Sequence, residues 1–449
     1  MSQQKEKLNL RSFYLCSAYL ILASLNIPYA SSEGLNSKPS AKSESSINSI
    51  TTNHPLTYCQ HKKSTIENDS LTLAMLRKDQ DAILSLTEIC DPKTRAPNPE
   101  REEKYINNLK RSPPLKKTEI DQILTLFWQY VGDKIWWMEK TVTAKDATTP
   151  LRAVAEVIHG SLDSWHITGD KKYLAMAISS GDYLLLVQQE IASGGFGFPA
   201  WKDNSSNLGR IASRFLLEAE KKGLTSQVLN NGWIIDDLGR GDLYFDNGLA
   251  GEALIALYRE TKNSQYLEGA KSAAKWAASK PVVSNFNYNS FSIILLSEVY
   301  AETSDLFFLN EAISRAELGV FSGMIRQGED AGHWIDPHNE RVVYRQVMLR
   351  AITSLIARTP VSHIKRSELL SNFNLMTRAM FKQQLTFGIS NPDSTMLSYC
   401  ESVKHTGDAS IPTWPSELVS TLSNIATTSL LKKKPFGGPA AVGCFLKNL

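Results

Sequence analysis

The ten residues Trp165-His-Ile-Thr-Gly-Asp-Lys-Lys-Tyr-Leu174 occur three times in related form along the chain. The related copies are 258–267 and 300–309, and each keeps an aromatic residue, a Thr three positions later and a closing aromatic–Leu pair. This pattern is typical of one helix that ends, a short polar turn and a second helix that begins. A helical hairpin of this kind cannot bury its apolar face alone, so neighbouring hairpins must stack.

The spacing of the copies predicts how many hairpins there are. The threonines of the three copies are Thr168, Thr261 and Thr303. The first interval between them is roughly twice the second, which indicates one degenerate copy in between. From Lys117 onward apolar residues recur at helical spacing. Helices entering a turn are predicted at about 150–166, 207–222, 248–261, 288–302, 342–358 and 415–431. Their predicted partners are 170–190, a short one near 224–230, 265–279, 305–322 and 362–384, with 117–140 completing the ring.

Six stacked hairpins can close on themselves, and closure leaves no exposed end. We therefore predict an all-α fold, an (α/α)6 toroid of helical hairpins over 116–449 that includes a C-terminal tail. An open superhelical array is the alternative. Length allows either, because closed rings of this kind form large single domains.

The connections between predicted helices differ in length. Turns after the first helix of each hairpin are short, whereas the connections before it are long: 141–149, 192–207, 230–247, 279–289, 328–342 and 385–415. In alternating hairpins, all connections of one kind emerge at the same end of the ring. We therefore predict that long, functional loops converge on one face of a rigid scaffold.

These long loops are rich in aromatic residues and hydrogen-bonding groups, a combination that suits sugar rings because their C–H faces stack on aromatic rings. The alternative is that the aromatics plug the mouth of the ring itself. The loop aromatics are Phe196, Phe198, Trp201, Trp233, Tyr244, Phe245, Phe286, Tyr288, Trp334 and Trp414. The predicted substrate-binding residues are Trp201, Trp233, Asp242, Tyr244, Asn247, Tyr288, Trp334 and His338.

Two segments carry the candidate catalytic groups. The first, Gly232-Trp-Ile-Ile-Asp-Asp-Leu-Gly-Arg-Gly-Asp-Leu-Tyr-Phe-Asp-Asn-Gly248, holds four carboxylates just before a predicted helix. Carboxylates presented at a cleft in differing environments suit general acid–base chemistry. Asp246 and Asn247 could instead serve only as helix caps.

The second segment, Gly328-Glu-Asp-Ala-Gly-His-Trp-Ile-Asp-Pro-His-Asn-Glu-Arg341, is followed by Tyr344 and Arg345. Proton transfer or substrate binding is the favoured interpretation, and a hydrogen-bonded loop is the alternative. The sequence identifies no cofactor with certainty, and a divalent cation at His333, Asp336 and His338 is an option. The predicted catalytic residues are Asp246, His333, Asp336, Tyr344 and Arg345.

The N-terminus has the layout of a secretory signal peptide, with Lys5, Lys7 and Arg11 before an uncharged, mostly apolar stretch. We expect cleavage near Ala30, with an uncleaved anchor as the alternative, and a periplasmic or secreted protein. Residues 31–115 are predicted to form a flexible spacer and an N-terminal extension.

Cysteine usage fits an exported protein, because removal of the signal leaves four cysteines. Three pairings are open, and proximity favours Cys59–Cys90, which would staple the extension, and Cys400–Cys444. Once the signal is removed the chain is nearly neutral, so electrostatics do not favour nucleic acid, and no membrane association is expected after cleavage.

The motifs Gly194-Gly-Phe-Gly-Phe-Pro-Ala-Trp201 and Phe245-Asp-Asn-Gly248, together with the repeat, resemble the six-hairpin α/α-toroid carbohydrate enzymes, a group of polysaccharide lyases, glycoside hydrolases and sugar epimerases. The two motifs look like loops of toroidal pectate lyases. The resemblance implies a polysaccharide or oligosaccharide substrate and favours a lyase or related enzyme acting on a uronate-containing glycan. For a lyase or epimerase, Arg345, His333, Tyr344 or Tyr288 would hold the uronate and move its proton.

Two alternatives stay open. An inverting glycoside hydrolase would use paired carboxylates, for which Asp246 and Asp336 are the expected pair. A non-catalytic glycan-binding toroid would keep the aromatic face without an acid–base pair.

Overall fold

A computed structural model describes residues 115–132, 135–138, 143–145, 147, 149–200, 207–283, 285–334, 338–432 and 435–449. The predicted signal peptide, the spacer, the Cys59–Cys90 pairing, Trp201 and Asp336 lie outside these residues. Within them, no helix is both long enough and apolar enough to cross a lipid bilayer.

The described residues form fourteen α-helices and one small sheet. The helices are α1 (Lys117–Val131), α2 (Leu151–Thr168), α3 (Lys171–Ile191), α4 (Asn207–Lys221), α5 (Thr225–Val228), α6 (Asp242–Thr261), α7 (Ser264–Ser279), α8 (Phe286–Thr303), α9 (Leu306–Gly319), α10 (Val342–Arg358), α11 (Arg366–Phe387), α12 (Pro392–Lys404), α13 (Ser416–Lys432) and α14 (Pro439–Lys447). The strands are β1 (Phe198–Pro199), β2 (Leu229–Asn230) and β3 (Trp233–Ile234). They pair antiparallel in the order β1-β3-β2.

Six helices form a closed inner ring in the order α2, α6, α8, α10, α12, α14, because each packs on the next and α14 packs back on α2. The outer layer is made of α3, α7, α9, α11, α13 and α1. The main apolar core joins the inner helices α2 to α10 to their outer partners, and a second apolar cluster joins α1, α12, α13 and α14. The predicted all-α toroid is therefore confirmed, and the ring is closed rather than open.

The three repeated turns share one geometry. Each first helix ends at a residue in the left-handed region, with φ of 70° at Gly169 and 57° at both Lys262 and Ser304. The next residue, Asp or Asn in each copy, caps the following helix through its side chain. The repeat can be recognised in the sequence because the same capping residue type is needed in each short turn.

The predicted degenerate hairpin between the first two copies is wrong. Helix α4 corresponds to 207–222 but is not a ring helix, and α5 near 224–230 is a single turn that leads into β2. The apolar side chains of α4 instead cover the end of the ring where the inner helices begin. We call that end the ring mouth.

Two further assignments need correction. The helix at 415–431 is the outer helix α13, and the inner positions belong to α12, inside the predicted long loop 385–415, and to α14, inside the predicted tail. Helix α14 approaches α2 closely because a Cβ at Gly160 would meet the Pro439 carbonyl oxygen at 2.5 Å. The predicted Cys400–Cys444 disulfide is confirmed and joins α12 to α14.

Candidate active site at the ring mouth

Side chains from the first turns of the inner helices meet at the ring mouth. Arg152 in α2 binds Asp246 in α6, and Tyr288 in α8 donates a hydrogen bond to Asp242 in α6 at 2.9 Å. Asn287 in α8 donates through its backbone to the Asn339 side chain, in the loop before α10, at 2.9 Å. The prediction that the segments before the inner helices converge on one face is confirmed.

The Arg152–Asp246 ion pair is the most enclosed charge pair of the mouth. The Arg152 Nε donates to Asp246 Oδ1 at 2.9 Å, and its Nη2 binds Oδ2. Asp246 is completely buried, and the guanidinium lies 4.1 Å from the centre of the Phe245 ring. Asp246 and Asn247 lie in the second turn of α6, whose N-cap is Gly241, so the capping alternative is wrong.

A small pocket lies above this pair. Its walls are Arg152, Phe198, Ile211, Phe215, Asp242, Leu243, Asp246 and Tyr288, and its volume is about 10 Å³. That is room for about one water molecule. The pocket is small because α4 contributes Ile211 and Phe215, and a salt bridge of 3.5 Å between Arg214 and Asp242 holds α4 over it.

Two further carboxylates, which the sequence did not single out, face the ring axis near the mouth. Glu156 lies one turn after Arg152 on α2, and its neighbours include Asp393 in α12 and Arg350 in α10. Because α10 and α12 are not the ring neighbours of α2, the Glu156 side chain must project inward. A Cβ at Gly438 would meet Glu156 Oε2 at 2.9 Å and Asp393 Oδ1 at 3.6 Å, so both acids converge on this glycine.

The two inward carboxyl groups differ in acidity. Burial raises the pKa of Glu156 to about 8, and the nearby Asp393 adds to the rise. Burial raises the pKa of Asp393 to about 6, while the hydrogen bond from the Gly438 N–H opposes the shift. Both residues are partly exposed as a whole, although Asp393 Oδ2 itself is buried without a hydrogen-bond partner. At neutral pH Glu156 is therefore protonated and Asp393 is mostly ionised, which are the two states that acid–base chemistry needs.

Below this site an ion network fills the ring axis. Arg350 in α10 binds Glu252 in α6 across the ring and lies 3.7 Å from Glu401 in α12. His159 lies in the same layer, and burial, reinforced by Lys404 and Arg350, lowers its pKa to about 3, so it is neutral. These contacts link α6, α10 and α12 across the ring axis.

Among the described residues, one group has a spacing that would suit a metal ion. It consists of Glu298, Glu401 and His405, which belong to this network. Their charges are already matched: Arg259 lies 2.6 Å from Glu298, and Lys404 lies 3.0 Å from Glu401. A divalent cation would have to displace these partners, so this group fits a structural ion network better than a metal centre. His333 and His338 are not part of it, and Asp336 lies outside the described residues.

Several predicted substrate-binding residues hold the loops of the mouth together. Asn247 accepts from the Phe196 N–H at 3.0 Å and donates to the Ala273 carbonyl at 3.1 Å. The Tyr244 hydroxyl donates to the Pro281 carbonyl at 2.5 Å. Trp334 donates to the Val320 carbonyl at 3.0 Å, and Trp233 is fully buried in β3. Substrate binding by these four remains a prediction, and their contacts favour the alternative in which aromatics fill the mouth.

The predicted catalytic residues His333 and Arg345 meet each other through Glu340 and do not reach the Arg152–Asp246 pair. Glu340 accepts from the Trp334 N–H at 2.7 Å and lies 2.5 Å from His333 Nδ1 and 3.2 Å from Arg345 Nη1. Burial opposes its ionisation, but Arg345 and His333 together hold the pKa of Glu340 below its usual value. This arrangement stabilises the loop before α10.

Tyr344 and His338 lie nearer the mouth. Their rings are 4.4 Å apart, and the Tyr344 side chain influences the ionisation of Tyr288. Burial and the adjacent Asp242 raise the pKa of Tyr288 well above its usual value. Its hydroxyl therefore stays protonated and can donate a hydrogen bond, but it is a poor base.

Comparison with solved structures finds carbohydrate-active enzymes. A polysaccharide lyase aligns with 74% of this chain and 96% of its own at 11% identity and a TM-score of 0.45. A family 88 glycosyl hydrolase from Bacteroides vulgatus aligns with 74% of this chain and 98% of its own at 12% identity and a TM-score of 0.46. An unsaturated glucuronyl hydrolase from Streptococcus agalactiae aligns with 78% and 95% at 12% identity and a TM-score of 0.41. No protein-family model and no curated protein matches the chain.

These structures belong to the group that the sequence motifs resemble. At such identities and scores the likeness adds nothing to the argument about this site. The fold assignment rests on the closed helix ring, and the site assignment rests on the contacts given above.

Arg152, Glu156 and Asp393 were missed in the sequence because each lies in or beside an ordinary-looking helix rather than in a marked loop. One signal was available. Arg152 and Glu156 are charged residues in the otherwise apolar run Leu151–Ile158, which is the pattern expected for an inner helix that faces a polar axis.

Proposed function

We propose that this protein is a glycan-processing enzyme whose carboxylates act at the ring mouth, with glycoside hydrolysis as the reaction that the site supports best. The observation that carries the proposal is the approach of Glu156 and Asp393, from two different inner helices, to Gly438, with Arg152 close enough to influence the ionisation of Glu156. Hydrolysis of a glycosidic bond requires carboxyl groups in different protonation states.

Each acid has a distinct role in this proposal. Glu156, protonated at neutral pH, donates a proton to the leaving oxygen. Asp393, mostly ionised, takes a proton from the attacking water. Asp246 is completely buried and paired with Arg152, so its role is to hold that guanidinium in place at the ring mouth.

The lyase interpretation, favoured by the sequence motifs, has less support in these contacts. Arg345, the expected partner of a uronate carboxylate, is completely buried, and its Nη1 is bound by Glu340 and Gln383. Tyr288 is held protonated, which makes it a poor base for removing a sugar proton. A lyase therefore stays as the alternative outcome of the assay.

The test is incubation of the full chain with uronate-containing and neutral glycans. Reducing ends without an unsaturated product support hydrolysis, whereas an unsaturated product, followed by its ultraviolet absorbance, supports a lyase. Glu156→Gln and Asp393→Asn are each expected to lower kcat at least about 100-fold, since general acid–base catalysis contributes on that scale. The matched control is Glu268→Gln, because Glu268 is exposed on the outer helix α7.

Binding of glycans without either product would reject both the hydrolase and the lyase proposals. The protein would then be a non-catalytic glycan-binding toroid. Full activity of Glu156→Gln and Asp393→Asn would reject the roles given to these two acids.

We also propose that the protein is exported to the periplasm or outside the cell. The Cys400–Cys444 disulfide supports this, because disulfides persist in oxidising compartments. The test is cell fractionation combined with mass spectrometry of the N-terminus. Recovery in the cytoplasm with residues 1–30 intact would reject export.

A further inference from the structure

A second cavity lies away from the ring mouth, between the loop before α10 and the outer helix α11. Its volume is about 150 Å³, against about 10 Å³ for the pocket at the ring mouth. Its lining residues are Gly328, Glu329, Ala331, His333, Leu375, Arg378, Ala379 and Lys382. We propose that this cavity, which we call the outer pocket, binds a small organic carboxylate.

The charges of the outer pocket favour an anion. Arg378 and Lys382 are one turn apart on α11, so both side chains reach the same wall. Both are exposed, and no described acid forms an ion pair with either of them. His333 adds an imidazole, and Glu329 is the single acid of the lining. A planar guanidinium matches a carboxylate through two parallel hydrogen bonds.

The floor of the outer pocket favours an organic anion over an inorganic one. Ala331, Leu375 and Ala379 supply apolar surface beside the two cations. These apolar side chains can pack against the carbon skeleton of an organic acid. Sulfate and phosphate have no apolar surface to bury there. The class of ligand is therefore a carboxylate attached to a compact carbon body, as in a uronic acid.

The walls of the pocket are held rigidly, which indicates a formed site. Gly332 has φ of 90°, and a Cβ there would meet the Leu375 carbonyl oxygen at 2.2 Å, so the loop lies directly on α11. The same loop is closed by backbone hydrogen bonds of 2.8 Å from Ile325 to His333 and from Gly332 to Ile325. Glu340 fixes the His333 ring through Nδ1.

The outer pocket is independent of the acids at the ring mouth, so its test does not depend on enzyme activity. The full chain is titrated by calorimetry with glucuronate and, as the uncharged counterpart, with glucose. We expect saturable binding of glucuronate and none of glucose. Arg378→Gln and Lys382→Gln should each weaken glucuronate binding at least tenfold.

Lys275→Gln is the matched control, because Lys275 is an exposed lysine on the outer helix α7 and its loss changes the net charge equally. Glu156→Gln is a second control, since binding at the ring mouth would respond to it and binding in the outer pocket would not. Unchanged affinity in both Arg378→Gln and Lys382→Gln would overturn the proposal, and so would a failure to bind glucuronate. Sulfate binding as tight as glucuronate would overturn the assignment of an organic carboxylate.

Discussion

Asp246 has both a proposed role at the ring mouth and a role in the stability of the fold. It is completely buried, and Arg152 is its charge partner. Asp246→Asn keeps the shape but leaves the Arg152 guanidinium without a compensating charge. Breaking one side of a buried pair costs about 3–5 kcal/mol, so we expect a loss of that size in the free energy of unfolding, measured by urea denaturation.

The comparison for this prediction is Glu268→Gln, which removes the partner of Lys271 in an exposed pair. Exposed pairs contribute about 1 kcal/mol or less. Equal losses in the two variants would contradict the view that Asp246 is enclosed with its partner.

Glu156 predicts a dependence of stability on pH. Its pKa is about 8 in the folded protein against an ordinary value of 4.5, so between these limits the folded state holds a proton that the unfolded state has lost. The free energy of unfolding therefore falls as pH rises through this window, by at most about 1.4 kcal/mol per pH unit from this group. Asp393 acts in the same direction between its ordinary 3.8 and about 6.

Urea denaturation of the native chain and of Glu156→Gln at pH 5 to 8 measures this effect. The variant should become progressively more stable than the native chain as pH rises. Parallel pH profiles for the two proteins would show that Glu156 ionises normally in the fold.

The sequence predicted some residues of the ring mouth correctly and assigned others to it wrongly. Asp242, Asp246 and Tyr288 were selected and do meet there. Arg345 was selected for its charge, but the sequence does not show which acid will pair with it. In the structure its partner is Glu340. Glu156 left one local signal, a charge in an apolar run, whereas Asp393 became recognisable only through residues far away in the chain.

At the scale of elements, α4 is a cover over the mouth rather than part of the ring. Arg240 binds Glu218 of α4 at 2.6 Å, and Arg214 of α4 lies 3.5 Å from Asp242. Because the pocket beneath holds about one water molecule, the proposed function requires α4 to move before a sugar can enter.

We expect Arg240→Gln to loosen α4. Loss of a partly exposed pair should raise amide hydrogen exchange across Asn207–Lys221 by up to about fivefold, measured by mass spectrometry. Lys172→Gln, which breaks the exposed pair with Asp170 in the turn between α2 and α3, should leave exchange in α4 unchanged. Unaltered exchange in Arg240→Gln would mean that α4 is held by its apolar contacts alone.

Helices with local capping signals were predicted well, as with α2, α6 and α8, whose ends carry the repeated turn. The helices α12 and α14 were missed although both begin with Pro and Asn391 caps α12, because both fall outside the repeated turn pattern. Helix α14 has only nine residues, with Gly438 at its N-cap and Gly443 within it, and it is stabilised by packing on α2 and by the disulfide rather than by its own propensity. No sequence window contains that information.

At the scale of the whole molecule, the disulfide secures the closure of the ring. It joins residues 44 positions apart and ties α14 to α12. Loop-closure entropy for that separation gives about 4 kcal/mol. We expect Cys400→Ala/Cys444→Ala to lose a free energy of unfolding of this order relative to the native chain, both measured by urea denaturation without reductant.

Wild-type stability in this double variant would contradict the role given to the disulfide. Reductant added to the native chain is an independent check, and it should reproduce the loss caused by the double variant.

Helix α14 also determines when the ring can form during synthesis. It follows the five other inner helices in chain order, yet it lies between α2, the first of them, and α12. Until residue 447 has left the ribosome, the other inner helices can form only an open arc with two uncovered flanks. The nascent chain therefore exposes apolar surface through most of its translation, and we expect it to need protection from aggregation until α14 closes the ring.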